Sequence, residues 1–310
     1  MILAASLPFL IRAGQKYDDK GEGMKGDKLF ITLFLLPAGI ITSVFLYYPF
    51  FKGIALSFYH TQGFYSKTFG GLSNYQRLID DPVVWKATLN SLELMVLAVV
   101  FQVGIAMVLA VMIDLIKHGR GFYRTTFFFP VVISGTAIGL LFSLIYLYKG
   151  GMLNTILAHF GLPPVLWLSQ KTALIGVAIP TIWQYVGFYF VILLTAIMKI
   201  PDSFYEAGEI EGMNAFQRTV RITIPLIFSD LKVCLILAIT GAFRVYDIVK
   251  VITNGGPLNA SQVLGTYMYE QTFTAQSVGY GSTIAVLIVI LGVALSMVTN
   301  RLLRKEEITY

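Results

Sequence analysis

The sequence predicts an all-α integral membrane protein that crosses the bilayer six times. Hydrophobic residues make up 56% of the 310 residues and charged residues only 13%, whereas soluble domains average about 25% charged residues. Six separate apolar stretches are also long enough to cross the roughly 30 Å hydrocarbon core as helices of about 20 residues. Helices are expected because the core holds no water, so each crossing segment must satisfy its own backbone hydrogen bonds.

The six predicted spans differ in how clearly the sequence marks them. Five are apolar runs with few or no charges, whereas the fifth carries Asp230 and Lys232 in its first turns and is therefore the weakest. The predicted spans cover residues 29–51, 92–116, 125–148, 174–198, 226–245 and 282–303.

Basic residues predict the orientation of the spans, because Lys and Arg favour the cytoplasmic connections. Lys25 and Lys28 precede the first span, whereas Lys52 alone follows it. Both termini are therefore expected in the cytoplasm, and residues 1–14 are expected to form a short helix on the membrane surface. The predicted regions are a cytoplasmic segment over 1–28, a transmembrane domain over 29–303 with a cytoplasmic connection at 199–225, and a cytoplasmic tail over 304–310.

The connection between predicted spans four and five carries an amphipathic pattern. Apolar residues recur every three positions over 203–216, which predicts one short helix with an apolar face. Gly208 and Gly212 are expected to leave a bare strip on this helix that lets a bulky neighbour approach closely. Pro225 marks the return into the membrane. The pattern alone fits either a solvated helix on the membrane surface or a docking site for a soluble partner.

Polar side chains within or beside the spans are candidates for a solute path. Such groups are costly in lipid, so they are expected to face the bundle interior or water. Amide, carboxylate and aromatic groups also recognise sugars, although each side chain could instead join two helices. Arg244 and Asp247 are three residues apart and could pair with each other on a helix. The candidates are Glu93, Gln102, Gln184, Tyr185, Tyr189, Arg244, Tyr246 and Asp247.

The sequence carries no pattern typical of an enzyme. A G-x-G-x-x-G match at 21–26 follows no predicted strand, and Asp27 stands where a phosphate-binding loop requires lysine. His60, His118 and His159 fall in separate connections, which argues against a metal site. The basic residues are scattered, which argues against a nucleic-acid partner. We therefore expect no catalytic residue, metal or cofactor in this chain.

Several motifs resemble the carbohydrate-type membrane subunits of ABC importers. The sequence EAGEIEG, beginning at Glu206, and the later ITIP, ending at Pro225, are similar to the E-A-A…G…I-x-x-P loop of that family. Gly208 departs from the commoner alanine, which lowers helix propensity without changing the spacing. Further stretches that resemble the family lie at 71–91, 243–257 and 279–286.

The resemblance implies a type I ABC importer permease fold in a bacterial or archaeal plasma membrane. It also implies a second permease subunit, usually a different chain, a cytoplasmic ATPase dimer that binds ATP and Mg, and an extracytoplasmic solute-binding protein. The solute would be a sugar, oligosaccharide or polyol, and the alternative within the same architecture is glycerol-3-phosphate or another small anion. An alternative from another class is an ion-coupled secondary transporter that works without an ATPase. The residues implied to couple to the ATPase are Glu206, Ala207, Gly208, Ile210, Gly212, Met213, Phe216 and Pro225.

Overall fold

The computed structural model describes most of the chain, namely residues 24–63, 66–116 and 119–303. The chain divides into two units, Met1–Ala55 and Leu56–Tyr310. Some predictions lie outside the described residues; they concern the surface helix over 1–14, most of the segment 1–28, His118 and the tail over 304–310.

The described part of the first unit is helical. Helix α1 covers Met24–Thr42, a π-helical turn follows at Ser43–Tyr47, and α2 covers Tyr48–Leu56. Within them, Ile31–Leu56 is long and apolar enough to cross a membrane. This stretch contains most of the first predicted span.

The second unit begins with a hairpin and a short helix. Strand β1 (Tyr59–Gln62) pairs antiparallel with β2 (Ser66–Phe69), and α3 covers Ser73–Asp80. The buried Asn74 side chain donates through Nδ2 to the carbonyl oxygen of Tyr59 at 2.9 Å. This hydrogen bond fixes α3 against the hairpin.

The second span is an uninterrupted helical stretch of 33 residues, Pro82–Asp114. It begins at Pro82 because Asp81 caps it, accepting from the backbone N–H of Val83 at 2.9 Å, and proline suits the first helical position. The span starts ten residues before the predicted one. Its parts are α4 (Pro82–Leu97), a π-helical turn (Ala98–Val103) and α5 (Gly104–Asp114).

The third predicted span is broken. Helix α6 (Arg120–Val132) and α7 (Gly135–Ile145) meet at an angle of 90°. The backbone is extended at Ile133. The Ser134 hydroxyl then caps α7 by accepting from the N–H of Ala137 at 3.2 Å. Within one apolar run, the extended residue Ile133 thus ends α6 and the Ser134 cap starts α7.

Helix α9 (Ala173–Ile197) forms the centre of the second unit and follows the short α8 (Met152–His159). Leucine and phenylalanine side chains of α9 pack with small residues of α5 and with buried Cys234 in one hydrophobic cluster. At Gly187 an added Cβ would lie 1.8 Å from the carbonyl oxygen of Phe127. Helix α6 therefore crosses α9 in direct backbone contact.

The fifth predicted span, 226–245, corresponds mainly to one helix, Phe228–Ala242, and the chain bends where that helix begins. The arm Ala215–Leu226 meets Phe228–Ile252 at 77°, and the helix is interrupted a second time between Ala242 and Asp247. The elements of this region are α10 (Asp202–Ile210), α11 (Ala215–Arg218), a π-helical turn (Thr219–Thr223), α12 (Ile224–Leu226), α13 (Phe228–Ala242) and α14 (Asp247–Ile252).

The final elements are tied back to the start of the second span. Asp81 accepts hydrogen bonds from the hydroxyls of Tyr267 at 2.6 Å and Tyr280 at 2.7 Å. Buried Asn90 of α4 donates to the carbonyl oxygen of Gln262 at 2.8 Å. The elements held in this way are α15 (Leu264–Tyr269), a π-helical turn (Glu270–Thr274) and α16 (Val278–Leu302).

Among the described residues, four continuous helical stretches are long and apolar enough to cross a membrane, and the count rises to six if each bent pair is one span. Predicted spans one, two, four and six correspond to the continuous stretches. Predicted span three covers both helices of one bent pair, so the expectation of a single helix there is wrong. Predicted span five lies almost entirely within the longer arm of the other pair.

Candidate functional site

A cavity of about 440 Å³ lies among α4, α9 and the break between α13 and α14. It collects side chains that are far apart in the sequence, from the second, third, fourth and fifth predicted spans. Seven of the eight candidates for a solute path line it: Gln102, Gln184, Tyr185, Tyr189, Arg244, Tyr246 and Asp247.

Glu93 is the candidate that does not line this cavity. Its side chain is exposed, whereas the next residue, Leu94, is buried and does line the cavity. Glu93 therefore does not share this cavity with the other candidates. The cause is helical periodicity, because neighbouring residues of a helix point about 100° apart and only one of the two faces inward.

The two cavity glutamines also join helices. Gln184 of α9 donates through Nε2 to the carbonyl oxygen of Ile133 at 2.9 Å, at the break between α6 and α7. Gln102 donates through Nε2 to the carbonyl oxygen of Thr181 at 3.0 Å. Both side chains are almost fully buried. Each amide group thus holds a neighbouring backbone in place while its residue lines the cavity.

Arg244 and Asp247 do not form the pair that their spacing allowed. Helix α13 ends at Ala242 and α14 begins at Asp247, so the two residues do not lie on one helical turn. Neither takes part in an ion pair within the part of the chain that the structure describes. Both are exposed and line the cavity, which leaves a cation and a carboxylate available to a ligand.

Aromatic side chains form part of the cavity wall, next to aliphatic and small residues. Tyr246 packs on Tyr269 with ring centroids 5.0 Å apart, and buried Tyr189 packs edge-on against Phe188 at 5.3 Å. Tyr185 is 39% exposed. Amphipathic rings with a hydroxyl at one end suit ligands that have both apolar and polar faces.

Two hydroxyl residues at the cavity were missed by the sequence-based candidate list. Thr181 lies three residues before Gln184 on α9, and Thr240 lies on the last turn of α13. Thr181 was predictable, because residues three apart on a helix share a face and Gln184 was already a candidate. Thr240 has no comparable signal, because its position depends on the helix break that follows it.

The predicted coupling helix over 203–216 is two helices, not one. Helix α10 ends in a Schellman motif in which the N–H of Met213 donates to the carbonyl of Gly208 at 2.9 Å, and Gly212 has a φ of +73°. Asn214 then starts α11 through a capping box with Gln217, with two hydrogen bonds of 2.9 Å. The three-residue apolar spacing does not reveal this interruption.

The two glycines of this segment have different roles. Gly208 is buried, and an added Cβ would lie 2.8 Å from Cδ1 of Ile222, so a close approach occurs there as predicted. Nothing lies within 4 Å of a Cβ added at Gly212. The prediction that Gly212 forms part of a bare helical strip is wrong, because the residue serves as the left-handed terminator of α10.

The predicted coupling segment, which comprises α10, α11 and the turn between them, presents apolar side chains on its surface. Ile210 is 89% exposed and Phe216 is 75% exposed, although they belong to different helices. Glu206 and Ala207 are also exposed, whereas Met213 is partly buried. Pro225 lies exposed in α12, just before the bend at Ile227.

Comparison with known proteins identifies the family. The sequence profile described as binding-protein-dependent transport system inner membrane component matches residues 102–306. The probable ABC transporter permease protein YurN of Bacillus subtilis (strain 168) is 37% identical over 91% of this chain and 99% of its own length. The lactose transport system permease protein LacF of Rhizobium radiobacter is 33% identical over 85% of this chain and 90% of its own length.

The fold also matches that of a solved transporter. The crystal structure of a bacterial ABC transporter involved in the import of the acidic polysaccharide alginate contains a chain with a TM-score of 0.79 and 23% sequence identity to this one. The match covers 91% of this chain and 96% of that chain. The chain therefore belongs to the family of binding-protein-dependent transport system inner membrane components.

Proposed function

We propose that this membrane subunit imports a sugar, oligosaccharide or polyol, and that the 440 Å³ cavity is part of the solute path. The observation that supports this proposal most strongly is the convergence of seven polar or aromatic candidates on one cavity. Its volume falls within the roughly 300–1,000 Å³ typical of small-molecule sites. The similarity to a protein named as a lactose permease supports a carbohydrate solute.

The subunit works with partners in this proposal. A second permease forms the other half of the path, an extracytoplasmic binding protein delivers the solute, and a cytoplasmic ATPase dimer binds ATP and Mg. The ATPase docks on the coupling segment, where Ile210 and Phe216 are exposed. Both termini then lie in the cytoplasm, and this chain itself catalyses no reaction.

A small anion such as glycerol-3-phosphate is the second candidate solute. Arg244 lines the cavity and has no ion-pair partner among the described residues. A guanidinium in this position suits a phosphate or carboxylate, which it can bind with two hydrogen bonds. The positive charge of Arg244 should therefore be needed for uptake of an anion and not for uptake of a neutral sugar.

Uptake by cells tests the proposal. A strain of the source organism that lacks the gene is complemented with the wild type, Gln184→Ala, Tyr185→Ala, Arg244→Gln or the control Ile179→Ala, an exposed α9 residue outside the cavity. Radiolabelled lactose, maltotriose and glycerol-3-phosphate are the probes. We expect the wild type and the control to take up at least one probe. In Gln184→Ala and Tyr185→Ala the rate of uptake is expected to fall about tenfold, equivalent to about 1.4 kcal/mol.

The Arg244 variant separates the candidates. Arg244→Gln is expected to retain saccharide uptake if the solute is neutral and to lose glycerol-3-phosphate uptake if it is an anion. Uptake that survives depletion of ATP, or that is equal in the cavity variants and the control, would contradict the proposal.

A further inference from the structure

Helix α10 is joined to the arm that leads into the fifth span by three side-chain contacts. The hydroxyl of Tyr205 lies 3.2 Å from Oγ1 of Thr223. One turn further along α10, Cδ1 of Ile222 fills the space beside Gly208. We call these contacts, together with an ion pair between Glu209 and Arg218, the clamp.

The clamp occupies one face of α10. Positions 205, 208 and 209 are three and four residues apart and therefore share a side of a helix. Their partners at 222 and 223 lie four and five residues after their partner at 218, and residues 219–223 of the opposing arm form a π-helical turn. The exposed side chains of Glu206 and Ile210 belong to the remaining surface of α10. The helix thus has an inner face that contacts the arm of this chain and an outer face on which Glu206 and Ile210 are exposed.

The clamp also connects to the core of the second unit. The Tyr205 ring packs against the hydrophobic cluster that includes residues of α5, α9 and α13. Thr223 is buried at 4% exposure. Because packed interiors are stiff, Tyr205 and Thr223 tie this side of the clamp to the core.

We propose that Tyr205, Glu209, Arg218 and Thr223 are positioning residues that make α10 and the arm 215–223 move as one body. A push on Ile210 or Phe216 is then delivered to the 77° bend before α13, whose last turn lines the cavity. The inference rests on the proposed function, because it requires an ATPase that supplies the push.

The ion pair is a local contact between α10 and the arm and is not expected to decide whether the protein folds. The side chain of Arg218 is 24% exposed and that of Glu209 is 64% exposed. Such solvent-exposed pairs add little to the stability of a protein. We therefore expect Arg218→Gln to fold and to insert into membranes normally, while α10 loses its fixed distance to the fifth span.

A distance measurement on the full chain in lipid nanodiscs tests the clamp without any ATPase. Spin labels are attached at Ser203→Cys, which is exposed on α10, and at Val233→Cys, which is 50% exposed on α13. The native Cys234 is fully buried and is left in place. Pulsed electron paramagnetic resonance then reports the distribution of distances between the two labels.

We expect one narrow distance in the wild-type background and loss of that single distance in Arg218→Gln and in Tyr205→Phe. The reversed pair Glu209→Arg with Arg218→Glu is expected to restore it. Arg221→Gln is the matched control, because Arg221 is exposed on the same arm and is in no ion pair among the described residues. A distribution as narrow in Arg218→Gln as in this control, or no restoration by the reversed pair, would overturn the inference.

A second measurement separates the clamp from the proposed function. The complex is purified from source membranes through a tag on this chain and reconstituted in liposomes. If no ATPase accompanies the wild-type chain, the proposed function fails while the distance test above still stands. If the ATPase is present, Arg218→Gln should keep ATP hydrolysis but should no longer pass it on to α13. Label distances under MgATP with vanadate that are the same in Arg218→Gln as in the wild type would overturn the inference.

Discussion

At the scale of single residues, Gly208 and Gly212 show that identical residues four positions apart can serve unrelated purposes. Gly208 lies in a helix and makes room for Ile222, whereas Gly212 ends the helix with a positive φ. The sequence spacing allows both interpretations for each residue. Only the backbone conformation separates them.

Alanine substitutions at these two positions are expected to differ. Gly208→Ala displaces only the flexible end of Ile222 and gains roughly 1 kcal/mol of helix propensity, so α10 should remain intact. Gly212→Ala places a Cβ at a left-handed position, at a cost of about 1–2 kcal/mol. Hydrogen exchange of the amides in 202–213 measures both effects. Equal protection in the two variants would contradict this assignment.

Asp81 is expected to make the stability of the protein depend on acidic pH. Burial raises the pKa of the Asp81 carboxyl, whereas hydrogen bonds from Tyr267, Tyr280 and the backbone lower it. Together the hydrogen bonds outweigh burial, so the pKa lies below its usual range. A carboxyl whose pKa is lower in the folded state stabilises the protein above its unfolded pKa of about 3.9, and this contribution is lost as pH falls through the folded pKa.

Thermal unfolding in nanodiscs between pH 7 and pH 2 measures this dependence. We expect Asp81→Asn to be less stable than the wild type at pH 7 by about 1 kcal/mol and the difference to shrink below pH 4. A difference that stays constant over this range would show that the charge of Asp81 has no part in holding α15 and α16.

At the scale of helices and loops, close backbone contact and local capping determine the shape of the second unit. Composition locates the apolar stretches, but it does not show where α6 gives way to α7. The signals were present, since Pro130 and the capping residue Ser134 lie inside the third apolar run. Continuous hydrophobicity nevertheless favours a single helix over this run. The positions of the spans are therefore predictable from hydrophobicity here, whereas their bends depend on single residues within the apolar runs.

The crossing of α6 and α9 supplies a test at this scale. Gly187→Ala should force the two helices apart, because the new Cβ would lie 1.8 Å from a backbone oxygen that has no rotamer to change. Overpacking of this kind costs about 1–3 kcal/mol. Gly104→Ala is the matched control on the second span, since nothing lies within 4 Å of its added Cβ.

Thermal unfolding of both variants in nanodiscs gives the result. We expect a clear decrease in the melting temperature for Gly187→Ala and little change for Gly104→Ala. If the two variants have the same melting temperature, the backbone contact between α6 and α9 is not as close as the structure indicates.

At the scale of the whole molecule, the second unit gathers polar side chains from three spans at one cavity. Sequence reasoning identified most of these side chains, because polar groups in apolar runs are few and costly. It did not predict that Arg244 and Asp247 would stay apart, since that follows from the break between α13 and α14. It also placed Glu93 with the others, although helical geometry turns Glu93 outward.

The central claim is that ATP use by a partner changes access to this cavity. Its most direct test is the rate at which a membrane-impermeant thiol reagent modifies Thr240→Cys in the reconstituted complex, because Thr240 lines the cavity and native Cys234 is buried. The account predicts that MgATP with vanadate changes this rate severalfold and that Ile210→Asp abolishes the change. A labelling rate that is the same with and without nucleotide would contradict it.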